Sequence, residues 1–490
     1  MPAPNCLRCL ARPPPGLATP VPRTAAAASP LLNRPAATPI GTRTRAHAAP
    51  FSTTPAPAGP PVKPATPVGS GGHNRVGKKL KLGKFKTDRA AERSKVPLPG
   101  ERKAYRKRIT LSNDNALPVP WLADLTPSSL ADPANTATVM GLPDSLQDQL
   151  RASDAFKPSQ SWGMFRKPAV LVRKETVDLV NRMQDAADKK QTLRLVVTGD
   201  KVTGKSMLLL QAMAHAYLNN WIVIHLPEGQ DLTTACTEYS PLADTDPVQY
   251  SQPVYVFKLI QAIKKANENL LSKMYTAVGH PGLPQSITAN TSLLTLANVA
   301  KEPDAAWPVF RALWHELTHR SVARPPILFT LDGLSHITRV SDYRSPAFEL
   351  IHSYDLALLR LFTDGLGGSL RLPWGGAVLA ATSRSNAPRS PSMELALAQR
   401  EAEQLQREVP KKDPFFRGYD ERAEASLRSV QVLPVGGIDK VEARGLMEYW
   451  AASGMLRATV DNKSVSEKWT LAGNGVLGEM ERASLLTMRV

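Results

Sequence analysis

Eight consecutive residues, Gly199-Asp200-Lys201-Val202-Thr203-Gly204-Lys205-Ser206, fit G-x-x-x-x-G-K-S/T, the Walker A pattern for holding phosphate. Its glycines let the backbone wrap N–H groups around phosphate oxygens, and a helix N-terminus behind them adds partial positive charge. Lys205 would neutralise the β- and γ-phosphates, and the Ser206 hydroxyl would take one position on Mg²⁺. Asp332, at the end of the apolar run 327–331, would serve the same Mg²⁺ directly or through water. Many nucleotide-hydrolysing proteins carry a second acid next, to orient a water; here that residue is Gly333. A general base must reach the water it deprotonates. Asp342 and Glu349 are the substitutes the sequence offers, so it favours nucleotide binding over rapid hydrolysis. The stretch Thr382-Ser383-Arg384-Ser385-Asn386, with Arg389, could sense the γ-phosphate. No N-K-x-D motif fixes guanine, since Asn462-Lys463-Ser464-Val465 lacks the acid. GTP, GDP and ATP all remain open on the residues, with base contacts expected from Val172-Arg173.

A second constellation, His315-Glu316-Leu317-Thr318-His319, matches H-E-x-x-H. On a helix its histidines share one face, but a catalytic zinc needs a third protein ligand. The following Arg320-Ser321-Val322-Ala323 supplies none, so a surface or rim pair of histidines is expected.

Residues 193–198 read as a short buried strand leading into the glycine loop, and 206–214 as the helix leaving it. Further buried strands are expected at 221–226, 326–332, 376–382 and 430–433. Helices are expected at 174–191, 254–273, 307–319, 348–361 and 439–453, with a polar helix or insertion at 400–413. Buried strands alternating with helices predict a parallel, three-layer α/β domain. Residues 465–490 predict one or two more helices, completing a small C-terminal helical subdomain.

The 490 residues carry a formal charge of +18, unevenly spread. Residues 1–87 hold thirteen Lys and Arg and no acid; the first is Asp88. Residues 1–50, rich in Ala, Pro, Thr and Arg, predict a mitochondrial transit peptide with a processing zone near 45–52. Residues 51–108 predict a Pro-rich linker and a basic extension for RNA, because too little apolar surface is present to offset chain entropy. The Pro-punctuated 109–165 predicts a wrapping segment, 166–435 a nucleotide-binding domain and 436–490 a helical lid. Cys6 and Cys9 fall in the expected presequence, leaving Cys236 alone and no intrachain disulfide. No apolar run of membrane-spanning length is present, so no membrane partner is expected.

With these pieces placed, residues 160–490 resemble the mitochondrial small-subunit ribosomal protein family called death-associated protein three, of fungal type. The stretches that carry the resemblance are 165–176, the glycine loop, 221–227, Tyr250-Ser251-Gln252-Pro253 with Asn267-Glu268, 327–332, Glu442-Ala443-Arg444 and Tyr449-Trp450. The resemblance implies a P-loop NTPase core of the AAA+ or additional-strand type, in the mitochondrial matrix. It implies a place in the head of the mitochondrial small subunit, against its rRNA, neighbouring ribosomal proteins and, through bridges, the large subunit. It also implies bound GTP with Mg²⁺, Gly199 to Ser206 on the phosphates and Asp332 on the metal. Where related proteins carry a sensor arginine in a Gly-Asn-x-Arg stretch, this chain has Gly473-Asn474-Gly475-Val476 and its nearest arginine is Arg482. Both departures favour a nucleotide held as a structural cofactor. The rival expectations are an active mitochondrial NTPase that remodels RNA or protein, and an apoptotic signalling switch.

Overall fold

In the computed structural model the five buried runs form one parallel sheet. They are β1 (Thr192–Gly199), β2 (Ile222–Leu226), β3 (Ile327–Asp332), β4 (Gly376–Ala381) and β5 (Gln431–Val435). Their order is β5-β1-β4-β3-β2, with β4 between the glycine-loop strand and the Asp332 strand. Gly376 pairs with both Thr192 and Ile327, and Leu226 pairs with Leu331. The described residues are 109–485, apart from Asp244, Asn386 and Arg417, and all lie within one compact unit. The expected transit peptide (1–50) and the linker with its basic RNA-binding extension (51–108) lie outside the described residues.

Every residue of β2, β3 and β4 is buried, which is why these runs show no polar alternation. Side chains still alternate between faces. Leu195, Val197, Val223, Leu328 and Leu379 join one core with α1 (Lys174–Asp188) and α2 (Lys205–Leu218). Val196, Ile224, Phe329, Leu331 and Val378 join the other, under α3 (Pro253–Ala266), α4 (Ala306–Leu317), α5 (Ala357–Gly367) and α6 (Pro391–Gln404). The result is a three-layer α/β arrangement whose strand C-termini end along one edge.

Two expected helices differ. The segment 348–361 opens instead as the second strand of a hairpin, Val340–Arg344 with Leu350–His352, and helix α5 begins only at Ala357. The hairpin strands expose alternate residues, a period of two that the apolar positions of 348–361 had masked. The helix expected at 400–413 runs from Pro391 to Gln404; Pro391 suits a helix start because it lacks the N–H a first turn leaves unpaired.

A third core joins distant parts of the chain. Val139, Phe165 and Leu171 pack with Leu446, Met447, Tyr449 and Trp450 of α7 (Lys440–Ala452), and with Val465 and Met480 of α8 (Asn462–Leu471) and α9 (Leu477–Ser484). Glu442, wholly buried, accepts N–H bonds from Asp439 (3.1 Å) and from Lys174 (3.1 Å), so one carboxylate caps the starts of both α7 and α1.

Candidate functional site

The glycine loop turns through three residues of positive φ: Gly199 (+144°), Val202 (+54°) and Gly204 (+99°). At Gly199 the demand is absolute, since a Cβ there would lie 2.2 Å from the Val435 carbonyl. Gly204 then caps α2, whose first turn holds Lys205 and no acid. A cation on the positive end of a helix is unfavourable unless an anion joins it. Lys205 is buried and donates to the Gly199 carbonyl (3.0 Å) and to that of Asp200. Burial and then repulsion from Arg384 lower its pKa, against the attraction of Asp332 and Asp200. Thr203 donates to the Asp200 carbonyl (3.0 Å), bracing the loop from within.

The loop forms one wall of a cavity of about 550 Å³, lined by Lys201 to Met207, Asp332, Thr382 to Ser385, Leu477, Glu481 and Arg482. That volume suits a nucleotide. Ser206 and Asp332, proposed from sequence for one metal, both face it. Asp332 is buried and ion-paired to Lys157, a residue of the wrapping segment that sequence reasoning missed. Nothing in the local sequence around Lys157 signals this role. Below Asp332, the His225 ring bonds the Thr330 hydroxyl (2.7 Å), and burial holds its pKa down to about 4. Gly333 has φ +87° and packs against Gly229, so no side chain fits there without strain. Asp342 and Glu349 are exposed on the hairpin 340–352 and do not line the cavity. Glu228, at the end of β2, does.

Arg173 lies behind the loop, outside the cavity lining. Its guanidinium donates to the carbonyls of Thr203 (2.9 Å) and Gly436 (3.1 Å) and pairs with buried Glu175 (3.2 Å). It thus ties the loop to β5 and to α1. Arg384 and Arg482 line the cavity, paired with Asp200 (2.7 Å) and Glu479 (2.8 Å). Gly478 closes the opposite wall by donating its N–H to the Val202 carbonyl (3.0 Å).

The H-E-x-x-H stretch serves structure. Glu316 is fully buried and accepts from the amides of Ala277 (2.7 Å) and Val278 (3.0 Å), from Arg324 (2.9 Å) and from His280 (3.1 Å). Burial opposes its charge, but these donors outweigh it and hold its pKa below the usual range. Among the described residues no cluster of three His, Cys, Asp or Glu could hold a metal ion, and no helix is long and apolar enough to cross a membrane.

The donors present fit a magnesium nucleotide: a cationic helix start, a loop forced open by glycine, and a hydroxyl and a carboxylate that line one cavity. Residues 170–483 match the family described as mitochondrial ribosomal death-associated protein 3. The chain is 53% identical to small ribosomal subunit protein mS29 of Neurospora crassa, over the whole of both chains. It is 27% identical to the Schizosaccharomyces pombe protein of that name over 66% of each chain. Against the Mus musculus protein of that name it is 22% identical, over 45% of this chain and 56% of that one.

Proposed function

Because the chain belongs to the mitochondrial ribosomal death-associated protein 3 family, we propose that it is a structural constituent of the mitochondrial small ribosomal subunit that holds a purine nucleotide, GTP first, with Mg²⁺. The full-length likeness to a small-subunit protein carries the ribosomal half of this reading. The loop geometry around Lys205 supports the nucleotide half, and β4 lying between β1 and β3 supports a P-loop NTPase core of the additional-strand type. In this reading the loop amides and Lys205 bind phosphates, Ser206 and Asp332 hold the metal, and Arg173 positions the loop from behind. Residues 166–435 serve as the nucleotide-binding unit, 436–490 as its lid, and the basic stretch before 109 lies along small-subunit rRNA. The nucleotide stabilises the fold by mass action, since only the folded site binds it.

The test is sedimentation of the tagged protein from lysed mitochondria, wild type beside Lys205→Ala. Wild type is expected with the small subunit at moderate salt, and the variant is expected to melt lower and incorporate poorly. A slow-sedimenting wild-type pool free of ribosomal proteins would reject the ribosomal half. Normal melting and incorporation of the variant would reject the structural role of the nucleotide.

A further inference from the structure

We propose that Glu228 supplies, from the neighbouring strand, the water-orienting carboxylate that Gly333 cannot, making the cavity a slow hydrolase of purine nucleoside triphosphates. The inference rests on the nucleotide reading above. Strand register carries it. β2 and β3 run parallel with Leu226 beside Leu331, so two residues further on Glu228 comes level with Gly333. The two backbones touch there: a Cβ on Gly229 would lie 2.6 Å from the Gly333 carbonyl oxygen, and one on Gly333 would lie 3.5 Å from the Gly229 nitrogen. At φ +87° Gly333 holds a left-handed conformation that L side chains rarely adopt, so an acid at the tip of β3 would strain the backbone. The tip of β2 is the next place from which a carboxylate can reach the same space.

The other acids of the cavity are engaged. Asp332 is paired with Lys157, and Glu481 is hydrogen-bonded to Ser161. Glu228 lines the cavity with both, yet among the described residues no hydrogen bond or ion pair holds its carboxylate. A free carboxylate in the cavity that Asp332 and Lys205 also line is what an attacking water needs. In the step, water oxygen bonds to the γ-phosphorus as the bond from that phosphorus to the β–γ bridging oxygen breaks. The diphosphate leaves with the bonding pair. Glu228 takes one proton from the water and returns it to the released phosphate. Arg384 and Arg482 already have acidic partners, so among the described lining residues no unpaired guanidinium meets the developing charge, which accounts for slow turnover.

The full chain would be loaded with GTP or with ATP, each with Mg²⁺, and followed through a single turnover. Beside wild type stand Glu228→Gln and, as a control on the exposed hairpin, Glu349→Gln. Conversion by Glu228→Gln is expected to be about 100-fold slower or more, with Glu349→Gln like wild type. A second measurement is independent of turnover: fluoroaluminate should slow release of a fluorescent diphosphate from wild type but not from Glu228→Gln. Both proteins should bind a non-hydrolysable triphosphate within about twofold of each other, since Glu228 acts on water rather than on phosphate. Equal conversion by wild type and Glu228→Gln overturns the proposal. Tight binding by wild type with neither conversion nor fluoroaluminate trapping overturns it as well, and leaves the nucleotide reading standing. Failure of wild type to bind either nucleotide overturns both.

Discussion

Lys157 occupies, on Asp332, the position of counter-charge that a metal would take. A buried carboxylate needs a cation, and in this protein one arrives from a segment 175 residues away in sequence. In the nucleotide reading proposed above, Mg²⁺ and Lys157 would compete for one acid. In Lys157→Ala the half-saturating Mg²⁺ concentration for nucleotide binding should fall several-fold, while the nucleotide-free protein loses about 1–2 kcal/mol of stability. Titrations of a fluorescent nucleotide against Mg²⁺ would show it; a higher Mg²⁺ requirement would instead place the lysine on phosphate. His215 makes a separate residue-scale prediction. It sits in the last turn of α2, where the helix dipole favours its cation by about 0.3–1 kcal/mol. Burial wins and pulls its pKa to about 4. The unfolded chain, with a His pKa near 6.5, then binds a proton the native state refuses. Stability is complete above about pH 6.5 and is lost as pH falls toward 4, by up to roughly 3 kcal/mol from this group. Urea melts across that range should be shallower in pH for His215→Gln.

At the scale of elements, a single guanidinium joins three of them. Arg173 begins α1 while bonding the glycine loop at Thr203 and the chain beyond β5 at Gly436. Its removal would leave Glu175 buried without its cation. Arg173→Ala should cost about 3–5 kcal/mol, and Arg173→Lys should recover little because a lysine lacks the planar fork that reaches two carbonyls and an acid at once. Denaturant melts of both variants test this; full recovery by lysine would reduce Arg173 to a point charge. The same residue marks how far sequence reading reaches. All five sheet strands were legible because their apolar runs, though short, are bounded by Gly, Pro or an acid, and the loop was legible because its spacing is chemical. Arg173 was noticed, but its expected base contact rested on position alone, and a side chain's direction is not written in its neighbours. Lys157 and Glu228 escaped for a related reason: tertiary folding and strand pairing, not local pattern, bring them to the cavity. The hairpin at 340–352 was hidden because residues 348–361 have apolar spacing that fits a helix as well as a strand end.

Across the whole molecule, the site is assembled from both ends of the described chain. The segment around Lys157 to Trp162 covers one side and α9 the other, with Gly478 bonded to the loop at Val202. Truncation after Val476 should leave the sheet intact by far-ultraviolet circular dichroism yet lower nucleotide affinity at least tenfold, roughly the 1.4 kcal/mol of a hydrogen bond with its packing. Unchanged affinity would make α9 a bystander. The position of β5 has a wider consequence. It covers the outer edge of β1, pairing Leu195 with Gln431, so the strand that leads into the glycine loop is completed by the sheet strand that emerges after the other four. Until then β1 presents a row of unpaired backbone groups, the kind of edge on which other chains can add as strands. A nascent or newly imported molecule is consequently open to aggregation at a strand that its finished form covers on both edges, and a chaperone that shields extended segments would be needed there until β5 docks.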